Sequence, residues 1–373
     1  MNVLVTGGRA PASMDVMRSL IHQGYTVYSA DSMNFPLGRF VKGLQKHFTL
    51  PKPNTQLQQF IQALKTIIIE YQIDLLIPTC EEIFFISQGY EELSQHARLF
   101  CEPFLRLNAL HNKFIFNQLA LDYGLDAPQS WLLTTDEDKA RVPLNQDILL
   151  KPVYSRFGSH LIIKPSPQAI TELKLTVPYV AQLFITGKEY CSYVIAEKGK
   201  ILVQTTYHPK YTSGPAAGIY FESANIEAIT HFVTIFCKKY CFSGQIAFDF
   251  IVREGKAFAL ECNPRITSGF HLISEQINWS TLLQGQEQNC LMPKHPYMLG
   301  LAMKLQGLHY FLKNPKGFIN DYKMAHDVLK SKDYPWLGLK SFITITNIFC
   351  RMIKEKKNFH CASTDDIEFN GEQ

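Results

Sequence analysis

The sequence predicts a mixed fold, α/β at its start and α+β beyond, closed by an extension of apolar stretches. Three observations carry that expectation. Residues 1–31 read strand, helix, strand, and residues 47–77 repeat the alternation. The strand Asp74–Ile77 is apolar after its first residue, as strands buried on both faces of a parallel sheet are. Further along, apolar strands follow one another through short turns bearing glycine, the pattern of hairpins.

Composition narrows the function classes. A chain of 373 residues has room for two or three packed domains. With 46% hydrophobic and 19% charged residues it is an ordinary globular chain. The formal charge is only +4, and no basic block appears beyond Lys354-Glu355-Lys356-Lys357, which argues against a nucleic-acid partner. Nine cysteines show no paired framework. Cys237 and Cys241 have CxxxC spacing, but no second pair completes a zinc site, so they read as reduced core residues. The first residues lack a signal-peptide pattern and the apolar runs are too short for a bilayer. The expectation is a cytoplasmic protein with no membrane partner.

In chain order, strand Met1–Thr6 leads through Gly7-Gly8-Arg9 into a helix and then strand Tyr25–Ala30, ending at Asp31. This βαβ start is Rossmann-like, but it lacks the GxGxxG spacing and carries Pro11 in its turn, so a dinucleotide site is disfavoured. A strand at His47–Leu50, a helix over Thr55–Tyr71 and the strand Asp74–Ile77 continue the sheet. Glu81 and Glu82 then open a helix at a strand's carboxyl end, where open α/β sheets bind ligands. Leu110 to Leu121 reads as a helix carrying Lys113 and ending before Gly124-x-x-x-Pro128. Strand Ile148–Leu150 ends in Lys151, followed by a loop with Ser155, Arg156, Gly158 and Ser159. A lysine beside such a loop suits polyphosphate, because the ammonium and backbone N–H groups both donate to it.

Strand Tyr179–Ile185 precedes Gly187-Lys188-Glu189. Residues 207–215 read as a polar loop, with Lys210 and His208 as its basic members. A hairpin then carries the chemistry, Gly244 to Phe270. Asp249 and Glu261 interrupt its two apolar strands, and buried carboxylates are costly unless paired or metal-bound. A three-residue turn containing Gly255 puts both on one face with Asn263, whereas a two-residue turn would split them. Two carboxylates and an amide oxygen on one face suit Mg²⁺ or Mn²⁺. Arg265 follows and can neutralise an anionic oxygen. Ile266 to His271 reads as the start of a helix, with Ser268 and Gly269 near an anion.

Taken in order, Lys113, Lys151 with its loop, the Gln182–Glu189 stretch, Asp249 and Glu261-x-Asn263-x-Arg265 resemble the ATP-grasp superfamily, across about Leu110 to His271. The resemblance implies a Rossmann-like domain over residues 1–105, an ATP-grasp entry helix and lid over 106–185, a second ATP-grasp subdomain with the metal site over 186–292, and a C-terminal extension over 293–373. It implies that Lys113, Lys151, Ser155, Arg156, Gly158, Ser159 and Lys210 meet the ATP phosphates. It implies that Gln182, Leu183 and Ile185 form the adenine hinge and that Glu189 binds the ribose. Asp249, Glu261 and Asn263 are the implied Mg²⁺ ligands, Arg265 and Lys151 the implied catalytic residues, and Glu81, Ser268 and Gly269 candidates for the substrate. In similar proteins the turn after the first strand faces the acceptor.

This chain departs from the pattern with a less glycine-rich loop after Lys151, and with Gln182 where glutamate is common. The implied activity is an ADP-forming carboxylate–amine ligase of amino-acid type acting through an acyl phosphate. Its partners are a small carboxylate and an amine, and a homodimer is the candidate assembly. Two alternatives stand beside it: a carboxylase-like or carbamoyl-phosphate-like enzyme that activates bicarbonate, and an ATP-binding protein without turnover. The acidic tail Thr364-Asp365-Asp366-Ile367-Glu368 reads equally as surface or as part of the substrate side.

Overall fold

The computed structural model describes residues 1–155, 160–214, 217–330, 337–356 and 359–371. Arg156, Gly158 and Ser159 lie outside them. The chain forms three sheets. The first contains β1 (Asn2–Thr6), β2 (Thr26–Asp31), β3 (Lys46–Thr49), β4 (Leu75–Ile77) and β5 (Arg98–Leu99). All its pairings are parallel and its order is β3-β2-β1-β4-β5. Successive β1 side chains alternate between its faces. Val3 and Val5 pack with Met14, Met17 and Leu20 of helix Pro11–His22, while Leu4 packs with Phe60 and Leu64 of helix Leu57–Glu70. Helices on both faces explain why these strands are apolar without alternation.

The second sheet is antiparallel, with β6 (Ser130–Leu133), β7 (Ile148–Pro152), β8 (Ile162–Ile163) and β9 (Tyr179–Leu183) in the order β6-β9-β7-β8. The third has β10 (Lys188–Glu197), β11 (Lys200–Ser213), β12 (Ala217–Ala224), β13 (Gly244–Arg253), β14 (Lys256–Asn263), β15 (Tyr297–Met298) and β16 (His326–Asp327). Its order is β14-β13-β10-β11-β12-β15-β16, antiparallel except for β15 with β16.

Three local expectations are corrected. The helix drawn across Leu110–Leu121 is two helices, Phe104–His111 and Lys113–Asp122. Asn112 breaks them, because its extended backbone and side-chain oxygen cap the second helix at Phe114 N and Ile115 N. The polar loop at 207–215 is a strand through Ser213, paired to β12, a strand that the sequence reading omitted. Tyr211 packs edge-on to Tyr220 across that pair, and register irregularities at Pro209 and Tyr211 accommodate the proline. The turn between β13 and β14 has two residues, Glu254 and Gly255, both at positive φ. That turn alone would place Asp249 opposite Leu260. A bulge at Leu260 shifts the register, so Asp249 faces Glu261. The shared face is real, and its cause is the bulge.

The C-terminal segment folds back onto the first sheet. Helix Leu337–Glu355 precedes helix Phe359–Thr364, and the following tail is buried rather than surface. Arg9, in the turn after β1, binds Asp31 at the end of β2 (2.5 Å) and Asp366 of the tail (2.7 Å). Arg351 bonds Asp366 as well (3.3 Å), and Ser32 Oγ donates to it at 2.7 Å. Burial works against the Asp366 carboxylate, but Arg9 and Arg351 outweigh it and hold its pKa well below the usual range. Phe369 stacks on Phe84 and meets Phe104 and Tyr154 edge-on. Asp31 is therefore an ion-pair partner of Arg9.

Candidate active site

Two cavities meet at the β13–β14 hairpin. One, of about 260 Å³, is a cleft between the second and third sheets, walled by β7, β9, β10 and the hairpin. The other, of about 360 Å³, lies between the carboxyl ends of β1 and β4, the third sheet and the C-terminal segment. Asp249 and Glu261 line both.

The cleft gathers most of the expected nucleotide residues: Lys113, Lys151, Ser155, Gln182, Leu183, Ile185 and Glu189. Each is placed by a local device. The Asn112 cap sets Lys113 at the first turn of its helix, 4% exposed, where Nζ donates to Ser155 O at 3.0 Å and lies 3.8 Å from Glu261 Oε2. Lys151 is 6% exposed near the end of β7, and its Nζ donates to the carbonyl of Leu260, the bulged residue, at 3.1 Å. Burial pushes the Lys151 pKa down to about 8, Lys113 pushes the same way, and Glu261 and Asp249 oppose it. Gln182 is 0% exposed on β9, and neither amide atom finds a partner among the described residues. Such an orphan is costly unless a ligand completes it. The N–H groups of Leu183 and Phe184 are taken by Gln129 O and Asp147 O (2.9 Å each). The hinge therefore offers Ile185, which has no such bond among the described residues. Glu189 stands exposed, its carbonyl 2.8 Å from His208 Nδ1.

The carboxylate pair is electrically unequal. Burial and the neighbouring Glu261 raise Asp249 to about 7. Burial works against Glu261 too, but Lys113 and Lys151 outweigh it and keep its pKa below the ordinary value. Two acids directly opposite on adjacent strands call for a cation between them. Asn263 Nδ2 donates to Asp249 at 3.1 Å, and its Oδ1 accepts from Arg265 at 3.2 Å. No group of three or more His, Cys, Asp or Glu side chains among the described residues forms a metal centre on its own. Two carboxylates with room for phosphate oxygens still fit Mg²⁺, which keeps non-protein ligands.

Arg265 lines the second cavity, and its Nε has no partner among the described residues. Glu81, expected near the substrate, is buried 3.7 Å behind the Arg265 guanidinium and accepts from Phe369 N at 3.4 Å. Glu82 is a structural acceptor that ties β1 to β4, taking Thr6 Oγ1 at 2.7 Å and Thr79 N at 3.0 Å; burial raises its pKa. Ser268 lines the cavity. Gly269 does not, and its role is close packing: a Cβ there would lie 2.4 Å from Tyr193 Cβ. The expected helix after Ile266 is one 3-10 turn, Ser268–Leu272. Lys210 leaves the cleft for Glu222 and Asp321 (3.0 Å each), because β11 aims it at β12 and helix Pro315–Met324.

The sequence reading missed Arg9, Ile348 and Ser363 as cavity walls, whereas Thr364 and His271 fall within stretches it offered for the substrate side. Arg9 had a signal, as the charged member of the turn after the first strand. The others had none, because the C-terminal segment reaches the site only through the tertiary fold.

Among the described residues no helix is long and apolar enough to cross a membrane. No family model matches the chain, and no curated protein sequence does. Solved structures do. L-amino acid ligase from Bacillus licheniformis aligns with TM-score 0.61 and 16% identity over 79% of this chain and 78% of its own. The ADP complex of N5-carboxyaminoimidazole synthetase from Staphylococcus aureus aligns at 0.62 and 15%, over 84% and 86%. The biotin carboxylase domain of Hydrogenobacter thermophilus 2-oxoglutarate carboxylase, with MgADP and bicarbonate, aligns at 0.62 and 13%, over 79% and 73%. At these identities the likeness is one of fold, and this chain has the ATP-grasp fold.

Proposed function

We propose that the protein is an ATP-dependent, ADP-forming ligase that joins a small amino-acid-type carboxylate to an amine through an acyl phosphate. The observation that carries this reading is the carboxylate pair at the meeting point of two cavities. A nucleotide on one side and a carboxylate on the other would present the γ-phosphoryl group to its acceptor there. Phosphoryl transfer asks a protein for positioning and charge neutralisation. Lys113 and Lys151 hold the phosphates. Gln182 and the Ile185 N–H read the adenine edge, and Glu189 takes the ribose hydroxyls. A divalent cation on Asp249 and Glu261, with Asn263 beside them, would offset charge on the β and γ phosphates. Arg265 faces the acceptor and stabilises the acyl phosphate. Residues 1–105, the third sheet with the turn after it and the C-terminal segment wall the acceptor, and the cleft within residues 106–292 grips the nucleotide.

The second reading, bicarbonate activation, draws on the bicarbonate bound by one structural neighbour. The size of the second cavity, about 360 Å³, favours a larger carboxylate. The test is nucleotide product identity with Mg²⁺-ATP and pooled amino acids. ADP release that depends on the pool is expected. AMP with pyrophosphate would overturn the acyl-phosphate reading, and ADP release driven by bicarbonate alone would move the protein to the second.

A further inference from the structure

His271 sits in the turn that follows Arg265 and lines the acceptor cavity, although it is 1% exposed. Its Nδ1 is 2.7 Å from Asp15 Oδ2, on helix Pro11–His22. Asp15 is itself held by Arg18 at 3.0 Å. Phe221 of β12 stacks on the imidazole, with ring centroids 5.9 Å apart and an interplanar angle of 29°. Two other elements, helix Pro11–His22 and β12, thus fix one ring. A carboxylate at Nδ1 favours the tautomer with its proton there, which leaves the lone pair on Nε2. The rest of the described cavity wall offers poorer bases. Arg9 and Arg265 are cations, Asp249 and Glu261 are the carboxylate pair, and burial pushes Cys191 and Tyr207 well above their ordinary values.

We infer that His271 is the general base that takes a proton from the ammonium of the incoming amine, and that Asp15 positions it. This inference rests on the acyl-phosphate reading and adds the step that follows it. An ammonium nitrogen has no lone pair and cannot attack. His271 Nε2 accepts one proton, and the neutral nitrogen then forms the C–N bond to the acyl carbon. The C–O bond to the phosphoryl group breaks, and phosphate leaves with the bonding pair. Phosphate takes the second nitrogen proton, the third stays on the amide, and His271 returns its own to water. Lys113, Lys151 and Arg265 cannot serve this step as cations, which is why a histidine on the acceptor side matters. The same architecture predicts a nucleophile that arrives as a primary ammonium.

The test pits two nucleophiles against each other. At about pH 7 hydroxylamine is largely unprotonated, so it needs no base to attack an acyl phosphate. Wild-type protein is given Mg²⁺-ATP and the proteinogenic L-amino acids, with or without hydroxylamine, and hydroxamate and peptide are quantified by mass spectrometry. For His271→Asn the ratio of peptide to hydroxamate is expected to fall about 100-fold or more, the usual scale of general-base catalysis. Asp15→Asn is expected to lower the same ratio about 10-fold, because the imidazole loses its orienting partner. Equal loss of both products in both variants would make the pair structural and overturn the inference, as would an unchanged ratio. Absence of both products from wild type would instead remove the acyl-phosphate reading, and the base with it.

Discussion

The two cavities share the Asp249–Glu261 pair but are assembled in opposite ways. The proposed nucleotide cleft draws its candidate side chains from Lys113 to Glu261, an ordered run of strands and one capped helix. The proposed acceptor cavity joins Arg9 and Thr79 to Arg265 and His271, and then to Ile348 and Thr364. The first is set by local devices: an Asn cap, a strand-end lysine, a bulge. The second exists only after distant parts of the chain have docked. A site for a cosubstrate that many enzymes use can be written as a string, while a site for a particular acceptor is written in contacts.

The strongest challenge to this division is Glu261→Gln, at the border. If both cavities use the carboxylate pair, turnover falls on the order of 10²–10³-fold while a nucleotide analogue still binds. Normal ADP release by this variant would leave the pair with no role in transfer. On the acceptor side, Asp366→Asn should cost about 2–3 kcal/mol in urea unfolding, below the full cost of stripping a buried charge because Arg9 keeps Asp31. The effect carries a pH signature. Asp366 has a depressed pKa when folded, so its contribution is fully present above about pH 4 and is lost as pH falls below the ordinary carboxylate range. Variant and wild type should therefore converge in acid. Nucleotide affinity should change by no more than about twofold, since the clasp lies outside the cleft. A larger loss would show that the two sites are not separable.

On the nucleotide side, Gln182→Leu should have two opposed effects. It removes two unpartnered buried atoms, so the free protein gains about 1–2 kcal/mol in stability, while ATP affinity drops roughly tenfold. Calorimetric titration beside thermal unfolding reads both; a fall in each would mean that Gln182 has a partner without nucleotide. The smallest effect is expected at Lys210. Lys210→Ala should alter ATP affinity by less than about threefold, because a half-exposed ion pair contributes little and points elsewhere. A greater loss would return Lys210 to the phosphates.

The same division explains what was legible in the sequence. The first parallel strands, the hairpin acids and the two cleft lysines were visible because apolar runs and acids that interrupt them are local patterns. The strand at Ala217–Ala224 was hidden behind a polar stretch whose backbone pairs all the same. The shared face of Asp249 and Glu261 was inferred from a turn length that the chain does not have, since a bulge supplies the missing residue. Lys210 looked like a phosphate ligand until strand alternation aimed it at Glu222. The pairings of Arg9 with Asp366 and of His271 with Asp15 have no short-range signature at all.

That Arg9–Asp366 pairing spans 357 residues, which sets a clock on the making of the protein. A ribosome adding about 5–20 residues per second delivers residue 366 roughly 20–70 s after residue 9. Throughout that interval the guanidinium has Asp31 as its one carboxylate partner from the clasp, and the acceptor cavity lacks a wall. The residues that line the proposed nucleotide cleft, 113 to 261, are all made before residue 366, whereas the second cavity needs residues up to 364. Newly made protein should therefore acquire nucleotide binding before it acquires the ability to choose an acceptor.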